Sequence, residues 1–341
     1  MKKCRIISTL FIIFFGLMSC SQEMAFDDTP EGNFKALWQI IDERYCFFDY
    51  KAQEYGLNWD DVYGRYSARI TPYTSEMGLF EILCDMLAEL RDGHVNIYTS
   101  ADVGRYWSWH TDYPDNFSAD IHEKYLKNDY RISSGIKFRI LEDNIGYMYI
   151  EGFDFKISES SLDAILSHFL TCNGLILDVR DNGGGSVETA QQVAARFTNE
   201  KVMVGYMMHK TGPGHSDFSD PAKRYIEPAM SHLRWQKTVI VLTNRSCFSA
   251  TNSFVSDMKM FPNVVVMGDS TGGGGGMPMS SMLPNGWSVR YSASPMLDAE
   301  KKQIEFGVAP DIKIDMTESD MIRGIDTIIE SAREYIKNQF K

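Results

Sequence analysis

Apolar positions follow two regimes along this chain. In residues 33–100 they recur every three or four positions. Phe34, Leu37, Trp38, Ile41 and Tyr45 mark one helical face, and a second helix begins at Trp59-Asp60-Asp61-Val62-Tyr63. Leu79, Leu83, Met86, Leu87 and Leu90 mark a third, closed by Asp92-Gly93. This spacing predicts a helical N-terminal lobe. From residue 136 the pattern becomes short apolar runs at 136–141, 146–150, 175–179, 202–207, 239–242 and 264–267, with helical spacing at 158–170, 186–198 and 249–260. That alternation predicts an α/β core of βαβ units on a mostly parallel sheet. A β-ribbon is expected around 288–292. A last helix from Thr317, with Asp320 completing its cap, is expected to align Ile322, Ile325, Ile329, Ala332 and Ile336. Residues 101–135 show neither period. Tyr106, Trp107, Trp109, His110 and Tyr113 cluster there among polar residues, which suits a partly packed connector better than a lid over a site. The predicted organisation is a helical lobe at 33–100, a connector at 101–135 and a core at 136–341.

The first residues carry a different signal. Lys2, Lys3 and Arg5 precede an apolar stretch, 6–17, that is short for a membrane-spanning helix. It runs into Leu17-Met18-Ser19-Cys20, which looks like a bacterial lipobox. The expectation is a signal peptide at 1–19, a lipid anchor on Cys20 and a tether over 20–32, holding an exported domain at a membrane face. Cys46, Cys84, Cys172 and Cys247 are scattered without metal-ligand spacing, and Cys84 and Cys172 fall in apolar patterns. Composition is that of a globular protein, with 44% hydrophobic and 23% charged residues. A net charge of −12 with no basic stripe argues against nucleic acid as a partner.

Candidate chemistry lies in two places. Gly174-Leu175-Ile176-Leu177-Asp178-Val179 runs as an apolar strand into Arg180-Asp181-Asn182-Gly183-Gly184-Gly185. Later, Val239-Ile240-Val241-Leu242-Thr243 leads through Asn244-Arg245-Ser246-Cys247-Phe248 to Ser249, which opens a helix at Ala250-Thr251. The first supplies backbone N–H groups. The second supplies a hydroxyl at a helix N-terminus, where negative charge is favoured. Together they are a nucleophile and an oxyanion hole, with Gly183, Gly184 and Ala250 as donors. Taken alone, Ser249 reads better as a helix cap than as a nucleophile. Ser246 and Ser253 are nearby alternatives. No phosphate-binding Gly-x-x-x-x-Gly-Lys pattern or dinucleotide spacing occurs.

The two segments resemble the S41 serine peptidases, the C-terminal processing and tricorn-type proteases. Val264-Val265-Val266-Met267-Gly268-Asp269-Ser270-Thr271-Gly272 and Gly307-Val308-Ala309-Pro310-Asp311-Ile312 continue the resemblance in order and spacing. It implies a crotonase-like β/α core and a serine endopeptidase that cleaves peptides or unfolded proteins through an acyl-enzyme, without metal or cofactor. Many relatives use a lysine base in "T-F-G-K-G". Here Thr271-Gly272-Gly273-Gly274-Gly275 puts Gly274 at that position, and Lys259 is a poor substitute. Asp92-Gly93-His94-Val95 resembles the "D-G-H" of the tricorn branch, which implies His94 as general base. Glu305 falls where that branch places a glutamate that orients the histidine through a neighbouring serine. Here that neighbour is Gly93, and Asp92 competes for the role. Residues 272–276 suggest a mobile flap. The connector is too short for the PDZ domain many relatives carry. The rival readings are a non-catalytic protein that binds peptide or apolar ligand on the same scaffold, and acyl-CoA chemistry on a related core.

Overall fold

The computed structural model describes residues 26–339. The predicted leader and Cys20 lie outside them. Seven strands form one sheet in the order Ile312–Lys313, Val264–Gly268, Val239–Thr243, Leu175–Asp178, Gly146–Tyr149, Ile136–Ile140, Arg131–Ser133. The first five run parallel, and the last two are each joined to their neighbour by antiparallel pairing. Val239–Thr243 is buried at every position, because helices cover both faces of the sheet. Alternate residues face opposite layers. Leu175, Leu177, Val239 and Val241 meet Leu162, Ile165, Val193, Phe254 and Val255. Ile176, Ile240 and Leu242 meet Ile328, Ile329, Ala332 and Ile336. The expected α/β architecture is therefore present.

Two expectations are corrected. Val202–Met207 does not join the parallel sheet. It pairs antiparallel with Ala222–Ile226 and with the end of Ser288–Leu297, in a second sheet that also holds Asn96–Tyr98, Val103–Arg105 and Gly276–Met282. The last helix is two helices, Glu318–Ile322 and Thr327–Asn338. Gly324 adopts φ 71° between them, and Asp326 starts the second by accepting from Ile328 and Ile329 N–H. Ile322 is consequently exposed.

The N-terminal helices Pro30–Arg44, Phe48–Tyr55, Trp59–Ser67 and Glu76–Ala88 bury Phe34, Leu37, Ile41, Leu83 and Met86 against Val95, Ile97, Val289 and Tyr291. The lobe thus closes its core on the second sheet. That contact carries the chain after Glu76–Ala88 to the C-terminal edge of the parallel strands, where Ser249 stands.

Candidate active site

Ser249 stands at the N-terminus of helix Ala250–Met258 with φ 58° and ψ −120°. A side chain rarely adopts this backbone, and it costs of order 1–3 kcal/mol. Ser75, Ser158 and Ser186 cap their helices by accepting a backbone N–H. Ser249 makes no such bond. Its Oγ lies 2.9 Å from His94 Nε2, and its own N–H donates to the Gly273 carbonyl at 2.9 Å. The cap alternative therefore fails. Ser253 is buried with its Oγ on Met296 Sδ, and neither it nor Ser246 meets a histidine among the described residues.

His94 follows the turn after Glu76–Ala88. Asp92 Oδ1 accepts the His94 backbone N–H at 2.7 Å, and Asn96 Nδ2 donates to the Gly93 carbonyl at 3.0 Å. The ring is buried and packs on Phe248, centroids 4.8 Å apart. Burial drives the imidazole down to about 4. Asp92 opposes that shift, while Arg290 and Lys51 add to it. The ring is therefore neutral through the physiological range. The Gly276 carbonyl acts on it in the raising direction, yet Nδ1 makes no well-formed hydrogen bond.

The expected orienting role of Glu305 is corrected. Its carboxylate does not bond the imidazole. Lys51 Nζ donates to Oε1 at 3.0 Å, and Gly275 N–H to Oε2 at 3.0 Å. Burial and then Asp92 push Glu305 up to about 8, with Lys51 opposing. Asp92 does not hold the ring either. Tyr45 and Ser292 hydroxyls donate to its Oδ2 at 3.0 and 2.8 Å. Burial favours its neutral form, but Lys51, His94 and these bonds outweigh it, and its pKa is lowered. Lys51, which sequence reasoning missed, is fully buried. The available signal was its place three residues after Phe48, the other buried residue of helix Phe48–Tyr55.

The glycine turn lies against the serine. A Cβ on Gly184, itself at φ 111°, would sit 2.9 Å from Ser249 Cβ and 3.1 Å from Ala250 N, so this approach requires glycine. The Gly184 N–H is already used, donating to Asn182 Oδ1 at 3.0 Å, which removes it from the predicted oxyanion hole. Among the described residues the Gly183 and Ala250 N–H groups donate to no protein acceptor.

Residues 272–276 are a buried strap, not a flap. Gly272 and Gly274 N–H groups donate to the Cys247 and Glu305 carbonyls at 2.8 and 3.0 Å. A Cβ on Gly274 would lie 2.6 Å from Phe248 Cζ, so the usual lysine has no room. Lys259 is remote, its Nζ on the Ala309 carbonyl and Asp311 at 2.7 Å each. A Cβ on Gly93 would lie 2.7 Å from Trp109 Nε1 and 2.8 Å from Phe248 Cζ, which excludes a relay serine. Trp109 stacks on Phe248 at 4.1 Å, so the connector reaches the site wall.

A strained serine, a buried imidazole on its hydroxyl and free N–H groups beside it are the parts of a nucleophilic acyl-transfer site. The signature of Peptidase family S41 matches residues 144–314, and that of the Tricorn protease C1 domain matches residues 26–88. The chain belongs to peptidase family S41. It is 48% identical to a candidate peptidase of Parabacteroides merdae of known crystal structure, covering 91% of this chain and 97% of that one with a TM-score of 0.87. Mature CPAF shares the fold at 13% identity, with a TM-score of 0.69 over 91% of this chain and 95% of that one. The carboxy-terminal processing protease CtpA of Bacillus subtilis is 24% identical over 177 residues, which is 51% of this chain and 36% of that protein. The chain thus matches about a third of that curated relative's length.

Proposed function

We propose that this protein is a serine-type endopeptidase acting on peptides or unfolded protein. The observation that carries the reading is the 2.9 Å approach of His94 Nε2 to Ser249 Oγ. The neutral imidazole takes the hydroxyl proton as Oγ attacks the scissile carbonyl carbon. The oxyanion of the tetrahedral intermediate accepts from the Ala250 and Gly183 N–H groups. Collapse expels the amine, which takes the proton back from His94. Water, deprotonated by the same nitrogen, then releases the acid and frees Ser249. The family relationship and the carboxy-terminal processing activity named for the Bacillus subtilis relative support a peptide substrate. Export and a lipid anchor at Cys20 belong to the same reading and rest on Leu17-Met18-Ser19-Cys20 behind a basic and then apolar leader. No helix among the described residues is long and apolar enough to cross a membrane.

A fluorophosphonate tests the chemistry. Wild type is expected to label on Ser249 and Ser249→Ala not at all. Equal labelling of both, or none of wild type, rejects the reading.

A further inference from the structure

Lys51 takes no part in the steps above, yet its side chain is fully buried. A buried ammonium is costly unless partners take up its charge and its hydrogens. Lys51 Nζ donates to the Leu90 carbonyl at 2.5 Å, to the Arg91 carbonyl at 3.3 Å and to Glu305 Oε1 at 3.0 Å. It stands 3.9 Å from Asp92 Oδ2. The Tyr45, Phe47 and Phe306 rings surround it at 5.5, 5.7 and 5.2 Å.

These partners lead to both reacting side chains. Leu90 and Arg91 directly precede Asp92-Gly93-His94. Glu305 bonds the strap through Gly274 and Gly275, and the adjacent Gly273 carbonyl accepts the Ser249 N–H. One ammonium therefore joins the turn that presents the base to the strap that seats the nucleophile. We propose that Lys51 is a positioning residue for the His94–Ser249 pair, fixing these two supports and balancing the Asp92 charge beside the imidazole. The inference rests on the peptidase reading above.

The charge argument has a definite sign. The imidazole is faced by Asp92 from its own turn, by Arg290 from strand Ser288–Leu297 and by Lys51 from helix Phe48–Tyr55. Glu305, Tyr45, Cys46, Tyr50 and Tyr55 are the other titratable groups around the cluster. Burial and Asp92 keep Glu305 protonated in the acid range. Without Lys51, only Arg290 is left to oppose Asp92, and the balance at His94 shifts toward the imidazolium.

The test uses Lys51→Met and the double variant Lys51→Met/Glu305→Gln, which also removes the carboxyl that Lys51 bonds, so that folding does not depend on an uncompensated anion there. Two quantities are followed against pH: the rate of fluorophosphonate acylation, and the His94 titration by histidine-selective nitrogen NMR. In both variants the acid midpoint is expected to rise by about one unit, a tenfold change in imidazole protonation. The plateau acylation rate is expected to fall about tenfold, as misplacement of reacting groups does. An unmoved midpoint in a folded variant overturns the proposal, even if the rate falls equally at every pH, because a purely structural lysine does that. Wild type that never labels sinks the peptidase reading instead, and the NMR midpoint still decides whether Lys51 sets the charge at His94.

Discussion

Thr251 Oγ1 donates to Asn182 Oδ1 at 2.5 Å, joining the serine helix to the glycine turn. The same oxygen accepts the Gly184 N–H, and Asn182 Nδ2 donates to the Ile150 carbonyl at 3.0 Å. One buried amide therefore sets the distance between nucleophile and oxyanion donors. Asn182→Ala orphans these partners in a water-excluded place, at about 1–3 kcal/mol for each group left unpaired. A lowered chemical-denaturation midpoint is expected, together with a slower acylation rate in protein that is still folded. Wild-type acylation in the folded variant would show that the turn holds its position without Asn182.

Backbone strain at Ser249 makes a second prediction. At φ 58° and ψ −120° any Cβ is unfavourable, and glycine is not. Ser249→Ala and Ser249→Gly both remove the hydroxyl and should both be inert to fluorophosphonate. They should differ in stability, with the glycine variant ahead by about 1 kcal/mol despite its more flexible unfolded chain. Paired denaturation curves decide the matter. Equal stability, or a more stable alanine variant, means that the strain is absent.

The third prediction concerns the missing lysine. Gly274 has φ 79°, and its Cβ direction is filled by the Phe248 ring. Gly274→Lys should therefore not create a Ser–Lys dyad. It should push Phe248 off His94 and Trp109 and reduce labelling of Ser249 by an order of magnitude or more, as displaced reacting groups do. Faster labelling in this variant, with a new alkaline-shifted pH profile, would contradict the packing argument.

The same geometry explains what could be read from the sequence. The serine segment and Asp92-Gly93-His94 were legible because each is short and local, and the parallel strands because their apolar runs are continuous. Ala222–Ile226 was not, because it is a largely exposed strand with Lys223 and Arg224 in its middle. The split of the last helix was carried by Gly324 and by Asp326 as a second cap, both hidden inside an unbroken apolar period. Glu305 was located, but its partner was not. Lys51 sits 254 positions away, on a helix whose composition suggests a solvent-facing lysine. Residues 272–276 look flexible by composition. Their N–H and carbonyl groups are nevertheless committed to Cys247, Ser249 and Glu305, which only tertiary structure can show.

The last prediction separates activity from stability by pH. His94 is held down at about 4, so the acylation rate should be flat across neutrality and fall only as pH drops through about 4, when the ring can no longer accept the Ser249 proton. Stability follows the difference in protons bound by the folded and unfolded chains. His94 and His122, both near 4 when folded and near 6.5 when unfolded, give stability that is complete above 6.5 and lost as pH falls toward 4. Glu305 and Asp257 have the opposite sign. Burial raises them to about 8 and about 7, from ordinary values of 4.5 and 3.8, so their contribution is lost as pH rises through those values. Between about 4.5 and 6.5 the two pairs oppose each other. Above 6.5 only the acids are left, and stability should decline toward pH 8 by on the order of 2 kcal/mol, at about 1.4 kcal/mol per unit for each group. Urea denaturation at pH 6.5 and 8.5, beside acylation rates at the same pH values, checks both halves. The expected result is a less stable protein that acylates no more slowly at the higher pH. Stability unchanged between the two pH values would show that these carboxyls ionise in the folded protein as freely as in the unfolded chain.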